Sequence, residues 1–286
     1  MAMHLPAPAG LPAELAQLNR TVVMGVLNVT PDSFSDGGRY LQPAAAVARG
    51  LALRAAGADL VDVGGESTRP GAERVTAAEE LRRVLPVVRA LSAAGVLVSI
   101  DTMRAEVAQA AVAEGAAVIN DVSGGLADPE MLGYAATAGL PLVLMHWRGP
   151  STIMAELANY DDVVRDVRAE LGKRLAAAVS AGVDPAFIVL DPGLGFAKDA
   201  DHNWSLLSHL HELAALGRPL LVGASRKRFL AELTNTGTVH DPDAATAAVS
   251  ALAAAGGVWC VRVHEPAASR AAVAVASRLR GAGSGL

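Results

Sequence analysis

Cysteine is almost missing from this chain, with one residue, Cys260, in 286. A lone cysteine excludes an internal disulfide and a cysteine-built zinc site. Aromatic residues make up only 3%. A core without rings must be built from Leu, Val, Ile and Ala, which suits helices packed closely on a parallel sheet. Lysine is the third shortage. Only Lys173, Lys198 and Lys227 occur, against 21 arginines, so each lysine is worth inspecting singly. No uninterrupted apolar run reaches the roughly 18 residues that span a bilayer. Basic excess is missing too. A net charge of −5 excludes a dedicated nucleic-acid binder.

The chain is 52% hydrophobic and 19% charged, which excludes general disorder. Segment 1–20 carries Pro6, Pro8 and Pro12, with no basic stretch leading into an apolar one. It reads as a loose leader ending in a short helix, not as a signal peptide. The glycine-rich end, 281–286, reads as a flexible tail. Cytoplasm is the expected compartment.

Short apolar runs recur at 21–28, 59–63, 96–101, 117–121, 141–146, 187–191, 219–223 and 258–264. They are continuous rather than alternating, as strands read when both faces are buried in a parallel sheet. Ala-rich helical stretches separate them at 43–57, 76–95, 103–115, 129–139, 160–182, 201–217, 241–256 and 265–281. Most end in Gly, a common helix stop. Thr76 and Glu79 have capping-box spacing, and Asp241-Pro242 is a helix start. Eight strands alternating with eight helices predict an α/β fold, a single (β/α)8 TIM barrel over 21–280. An open doubly wound sheet would gather only two or three strand ends at its crevice. Here nearly every strand leads into polar or glycine-rich residues, which favours closure.

Polar residues at the strand ends fall into two groups. Asp101, Asn120, Asp121 and Asp191 supply fixed donors and acceptors that can read the edge of a polar heterocycle or hold a metal. Each could instead cap the helix that follows. Ser225-Arg-Lys-Arg228, Arg262, His264 and Arg69 form a basic group. A basic knot in an acidic chain implies a local anion, and the loops after strands seven and eight commonly bind phosphate in such barrels. Strand alternation puts Arg262 and His264 on one side. Two strand-to-helix connections, 28–42 and 64–75, are unusually long and rich in Gly, Ser, Asp and Pro, which suits hinged lids. His202, His209 and His211 lack helical zinc spacing and read as surface residues. The residues alone therefore point to a barrel enzyme for a phosphorylated, polar, aromatic substrate and leave the reaction open.

The motif strings go further. MGVLNVTPDSFSDGG at 24–38 and DVGGESTRPG at 62–71 resemble the two signatures of the dihydropteroate synthase family. SIDT at 99–102, IND at 119–121, DPGLGF at 191–196, SRK at 225–227 and RVH at 262–264 follow in family order. The resemblance covers roughly 21–280 and implies a TIM barrel and a transferase step of folate synthesis. The enzyme would condense 6-hydroxymethyl-7,8-dihydropterin pyrophosphate with 4-aminobenzoate, giving 7,8-dihydropteroate and pyrophosphate. By position, Asp101, Asn120, Asp191 and Lys227 would hold the pterin. Asn28, Arg69, Arg262 and His264 would hold the pyrophosphate, with Mg2+ beside Asn28. Thr68, Pro70, Phe196, Phe34 and Ser35 would shape the aminobenzoate pocket, and Phe34, Ser35 and Asp36 belong to the closing first loop. Asp101, Asp191, Lys227, Arg69 and Asp36 would carry the chemistry. The resemblance further implies a homodimer, formed through outer helices, and inhibition by sulfonamides, with no nucleic-acid or membrane partner.

Two positions depart from some family members. Arg228 stands where a small residue is common, at the aminobenzoate mouth, and Glu265 where Asp is common. Two alternatives compete. A corrinoid-linked methyltetrahydrofolate methyltransferase needs neither long signature loop. A non-catalytic pterin-binding paralogue should have lost loop or SRK residues, and none is missing here.

Overall fold

The apolar runs form eight parallel strands because each buries both faces. The computed structural model describes residues 7–30, 43–67, 71, 74–154, 156–234 and 241–283. In chain order the strands are β1 (Val22–Asn28), β2 (Leu60–Gly64), β3 (Val98–Asp101), β4 (Ala116–Asp121), β5 (Leu142–Met145), β6 (Ile188–Asp191), β7 (Leu221–Val222) and β8 (Cys260–Val263). Their order across the sheet is β6-β5-β4-β3-β2-β1-β8-β7, and a parallel bridge between Leu190 and Leu220 joins its two edges. The sheet is thereby a closed barrel, as expected. The seam is its thinnest part, since β7 has two residues.

Alternate residues of the same strands serve two cores. Val22, Met24, Leu60, Val118, Val143, Val189, Leu221 and Cys260 fill the lower barrel interior. Their neighbours Val23, Leu27, Val61, Val63 and Ile119 face the helices outside. Cys260 is a buried free thiol in that inner layer. The helices are α1 (Ala13–Ala16), α2 (Pro43–Ala55), α3 (Ala77–Ala93), α4 (Ala105–Ala113), α5 (Met131–Ala138), α6 (Val163–Ser180), α7 (Ala200–Ser208), α8 (Leu210–Ala214), α9 (Arg228–Thr234), α10 (Pro242–Ala255) and α11 (Pro266–Gly283). No helix among the described residues is long and apolar enough to cross a membrane.

Four local expectations need correction. The described part of the leader is docked rather than loose: Leu15 is buried, and Leu11 and Leu18 join it against the inner core. This short helix closes the barrel bottom. The helix expected over 201–217 is two helices that meet at His209, whose backbone departs from helical geometry and whose ring Nδ1 faces the Ser205 carbonyl. A further helix, α9, follows β7, where no helix was expected. The capping box of α3 is half made. Thr76 accepts from the Glu79 amide, but Glu79 turns its carboxylate to Arg82 and Arg83. The Asp241-Pro242 start of α10 forms as read.

Candidate active site

Strand register sets the polar floor of the barrel mouth. Gly64, Asp101 and Asn120 lie in one row across β2, β3 and β4. Asp62 lies two residues deeper, paired with Ser99. From β8, Arg262 reaches inward, donating from Nε to Asp62 Oδ2 at 2.6 Å and from Nη2 to Asp101 Oδ2 at 2.7 Å. Asn120 Nδ2 donates to the same Asp62 oxygen at 2.9 Å. Asp191 ends β6 and accepts at Oδ1 from the Gly193 amide at 2.7 Å. The second carboxylate oxygens of Asp101 and Asp191 have no protein partner among the described residues.

Burial shapes the charges of this floor. It pushes the Asp101 carboxyl up to about 7, with Arg262 opposing and Asp62 adding to the rise. Burial also raises Asp191, against the pull of the Gly193 amide and Lys227. Lys227 is brought down to about 8 by burial, partly offset by Asp191. Arg262 loses solvation as well, yet Asp62 and Asp101 outweigh that loss and hold it above its ordinary value. Fixed charges in a dry floor act more strongly than they would in water.

Above the floor opens a cavity of about 720 Å3, whose wall includes Asn28, Phe196, Lys227, Arg262 and His264. Arg226 and Arg228 stand at the same mouth, which is thus basic over an acidic floor. Lys227 Nζ sits 4.1 Å from the Phe196 ring centroid, within cation–π range. His264 shares the Ser225 hydroxyl, through its amide at 3.1 Å and its Nδ1 at 3.0 Å.

The loop after β6 brings Phe196 to this cavity, and its glycines are required there. Gly193 has φ +65°, and a Cβ on it would lie 2.3 Å from the His146 carbonyl oxygen. Gly195 has φ +74°, and a Cβ would lie 2.7 Å from Lys227 Cδ. Lys198 fastens the loop from within, donating to the Gly193 and Phe196 carbonyls at 3.0 Å each and to His146 Nδ1 at 2.9 Å. With Nδ1 accepting, His146 carries its proton on Nε2 and donates to Glu170 at 2.8 Å. Burial, then Lys198, brings His146 down to about 4, so the ring is neutral near pH 7. Glu170 also accepts from Arg148.

Most of the expected site residues that can be placed converge. Asn28, Asp101, Asn120, Asp191, Phe196, Lys227, Arg262 and His264 all lie at this end of the barrel. Phe34, Ser35, Asp36, Thr68, Arg69 and Pro70 lie outside the described residues. Arg262 lines the cavity with His264, and its guanidinium also rests on the floor carboxylates Asp62 and Asp101. Asp121 ends β4 and serves the turn that follows. Its carboxylate accepts from the Ser123 amide and hydroxyl and from the Gly125 amide, and strand alternation turns it away from Asn120. Sequence reasoning missed Asp62 and the Lys198–His146–Glu170 chain. The signal for Asp62 was present, as a single charge inside an otherwise apolar strand. Among the described residues no cluster of three His, Cys, Asp or Glu side chains is placed to hold a metal.

Comparison with known proteins agrees with this geometry. The profile described as "Pterin binding enzyme" matches residues 24–264. The dihydropteroate synthase of Mycobacterium leprae is 58% identical over 253 residues, 86% of this chain and 89% of that protein. The Xanthomonas albilineans dihydropteroate synthase, solved in complex with 7,8-dihydropteroate, superposes with a TM-score of 0.81 at 44% identity, covering 91% of this chain and 94% of the other. The Yersinia pestis dihydropteroate synthase, solved with a sulfonamide drug complex, gives 0.86 at 40% identity, covering 98% and 100%.

Proposed function

The chain belongs to the pterin-binding enzyme family and, within it, to the dihydropteroate synthases; from that premise we infer how its barrel mouth does the work. The reaction joins 6-hydroxymethyl-7,8-dihydropterin pyrophosphate to 4-aminobenzoate, releasing pyrophosphate and forming 7,8-dihydropteroate. The observation that carries the assignment of ends is the charge order of the site, a dry floor of carboxylates and an amide under a basic rim.

The pterin lies on the floor. Its N–H edge meets the open oxygens of Asp101, Asn120 and Asp191, and Lys227 donates to its acceptor edge. The pyrophosphate lies toward His264 and Arg262, and the family resemblance adds Arg69, which lies outside the described residues. When the carbon–oxygen bond breaks, its electron pair leaves with pyrophosphate and positive charge grows on the pterin methylene. Floor carboxylates stabilise that cation, and the cationic rim stabilises the leaving anion. The arylamine nitrogen forms the new bond with its lone pair and then sheds a proton. No unusually strong base is required. We infer a largely dissociative displacement, and isotope effects showing tight bimolecular attack would contradict it. Closure of the two long loops over the mouth would keep water from capturing the cation.

The donor set suits Mg2+ only as a partner of the substrate. Asn28 offers one neutral amide oxygen at the cavity wall, and Mg2+ is commonly held by few protein groups together with substrate phosphates and waters. When bound, the ion would neutralise pyrophosphate charge. Phe196, in the cavity wall, marks the aminobenzoate side, where sulfonamides would compete as arylamine mimics; the resemblance adds Thr68, Pro70, Phe34 and Ser35, which lie outside the described residues. Arg228 stands at that mouth. A second copy of the chain is expected against α10 and α11, where Leu252, Val275 and Leu279 are 74%, 61% and 67% exposed.

The deciding assay mixes protein, Mg2+ and both substrates and follows pyrophosphate together with dihydropteroate. Equal release of the two, dependent on aminobenzoate, is expected. Pterin binding without turnover would favour the non-catalytic paralogue.

A further inference from the structure

Asp62 is the single charged side chain of β2, and it is fully buried. It lies one row beneath Asp101 and Asn120, deeper in the barrel. Its Oδ2 is flanked by two donors, Asn120 Nδ2 and Arg262 Nε. That contact decides which way the Asn120 amide faces. With the NH2 group turned down to the carboxylate, the carbonyl Oδ1 is what Asn120 presents to a ligand. Without Asp62 the amide could sit in either orientation, and one of the two offers a donor where the pterin needs an acceptor. Arg262 is fixed by the same residue, because its fork bridges Asp62 and Asp101 and so takes one plane.

Stability does not account for this carboxylate. Its Oδ1 is buried with no partner among the described residues, and so is the Oγ of Ser99 beside it on β3. An apolar pair at these two positions would avoid both desolvation costs. We propose that Asp62 is a positioning residue for the pterin ring, acting through Asn120 and Arg262 without touching the substrate. The proposal rests on the floor's being the pterin site.

The test is steady-state kinetics of Asp62→Asn, varying each substrate in turn. The KM for the pterin pyrophosphate is expected to rise on the order of 10–100-fold, with the KM for aminobenzoate changed by less than about twofold. Asp62→Asn combined with Asn120→Ala should raise the pterin KM by less than the product of the two single effects. Ser99→Ala, which removes the neighbouring buried hydroxyl, should move neither KM. If Asp62→Asn does not fold, Asp62→Glu keeps the charge, displaces it by one carbon, and should show the same substrate-selective rise. Equal rises for both substrates, a fully multiplicative double variant, a Ser99→Ala effect of similar size, or an unchanged pterin KM would each overturn the proposal. If the unaltered protein forms no dihydropteroate, the underlying reading fails. If it turns over and only the selectivity is missing, the role of Asp62 fails alone.

Discussion

Two polar networks stand at the strand ends of the barrel, and they differ in how completely their hydrogen-bonding capacity is filled. The outer one joins Lys198, His146, Glu170 and Arg148. Lys198 has three acceptors, His146 uses both ring nitrogens, and both Glu170 oxygens are taken. The inner one joins Asp62, Asp101, Asn120 and Arg262, with Asp191 nearby. There the second oxygens of Asp101 and Asp191, the two carboxylates assigned to the pterin, have no partner among the described residues. A filled network stabilises the loop it ties. A network with acceptors left open in a dry place is costly unless something arrives to fill it. The difference separates structural support from substrate recognition without reference to sequence likeness.

The contrast can be broken most sharply at Asp101. Asp101→Asn should lower kcat/KM for the pterin substrate by about 10^3-fold, roughly 4 kcal/mol of transition-state stabilisation. Its thermal midpoint should be no lower than that of the unaltered protein, because the exchange removes a desolvated charge. Next in size is the outer network. Glu170→Ala leaves the His146 and Arg148 donors without their acceptor, and should cost about 1–3 kcal/mol of stability while kcat/KM changes by less than about threefold. Differential scanning calorimetry beside kinetics would show whether the two variants trade places.

A finer probe is pH. Asp101 is held up to about 7, so its negative charge is lost as pH falls through that value. Lys227 is held down to about 8, so its positive charge is lost as pH rises through that value. A profile of kcat/KM against pH should therefore be bell-shaped, with its top between about 7 and about 8. Lys227→Arg should carry the basic limb upward. The smallest effect concerns the outer surface. Should the proposed second copy cover α10 and α11, Leu252→Glu with Leu279→Glu should weaken that association in sedimentation while leaving kcat/KM within about twofold, since neither residue lines the cavity.

Much of the fold, and part of the site, is legible in the sequence. The continuous apolar runs are strands with both faces buried, and the polar strand ends form the mouth. Lysine scarcity points to Lys198 and Lys227, both of which line the cavity, Lys198 also tying the loop after β6. What stays hidden depends on long-range register. Asp121 and Asn120 are adjacent and chemically alike, and only the pleat sends one inward and the other into a turn. Asp62 stands out in the sequence as a lone charge in an apolar strand, but its partner Arg262 comes from β8, 200 residues away. The break at His209 and the extra helix α9 are local choices that propensity alone does not settle. The docking of Leu15 under the barrel is a tertiary contact, invisible in a proline-rich leader.

Isothermal titration of the pterin pyrophosphate into the unaltered protein, Asp101→Asn and Glu170→Ala tests the central claim most directly. If the open acceptors of the inner network are the pterin site, Asp101→Asn should weaken binding by at least about 100-fold and Glu170→Ala by less than about threefold. Equal binding by Asp101→Asn and the unaltered protein, or a larger loss in Glu170→Ala, would contradict the account.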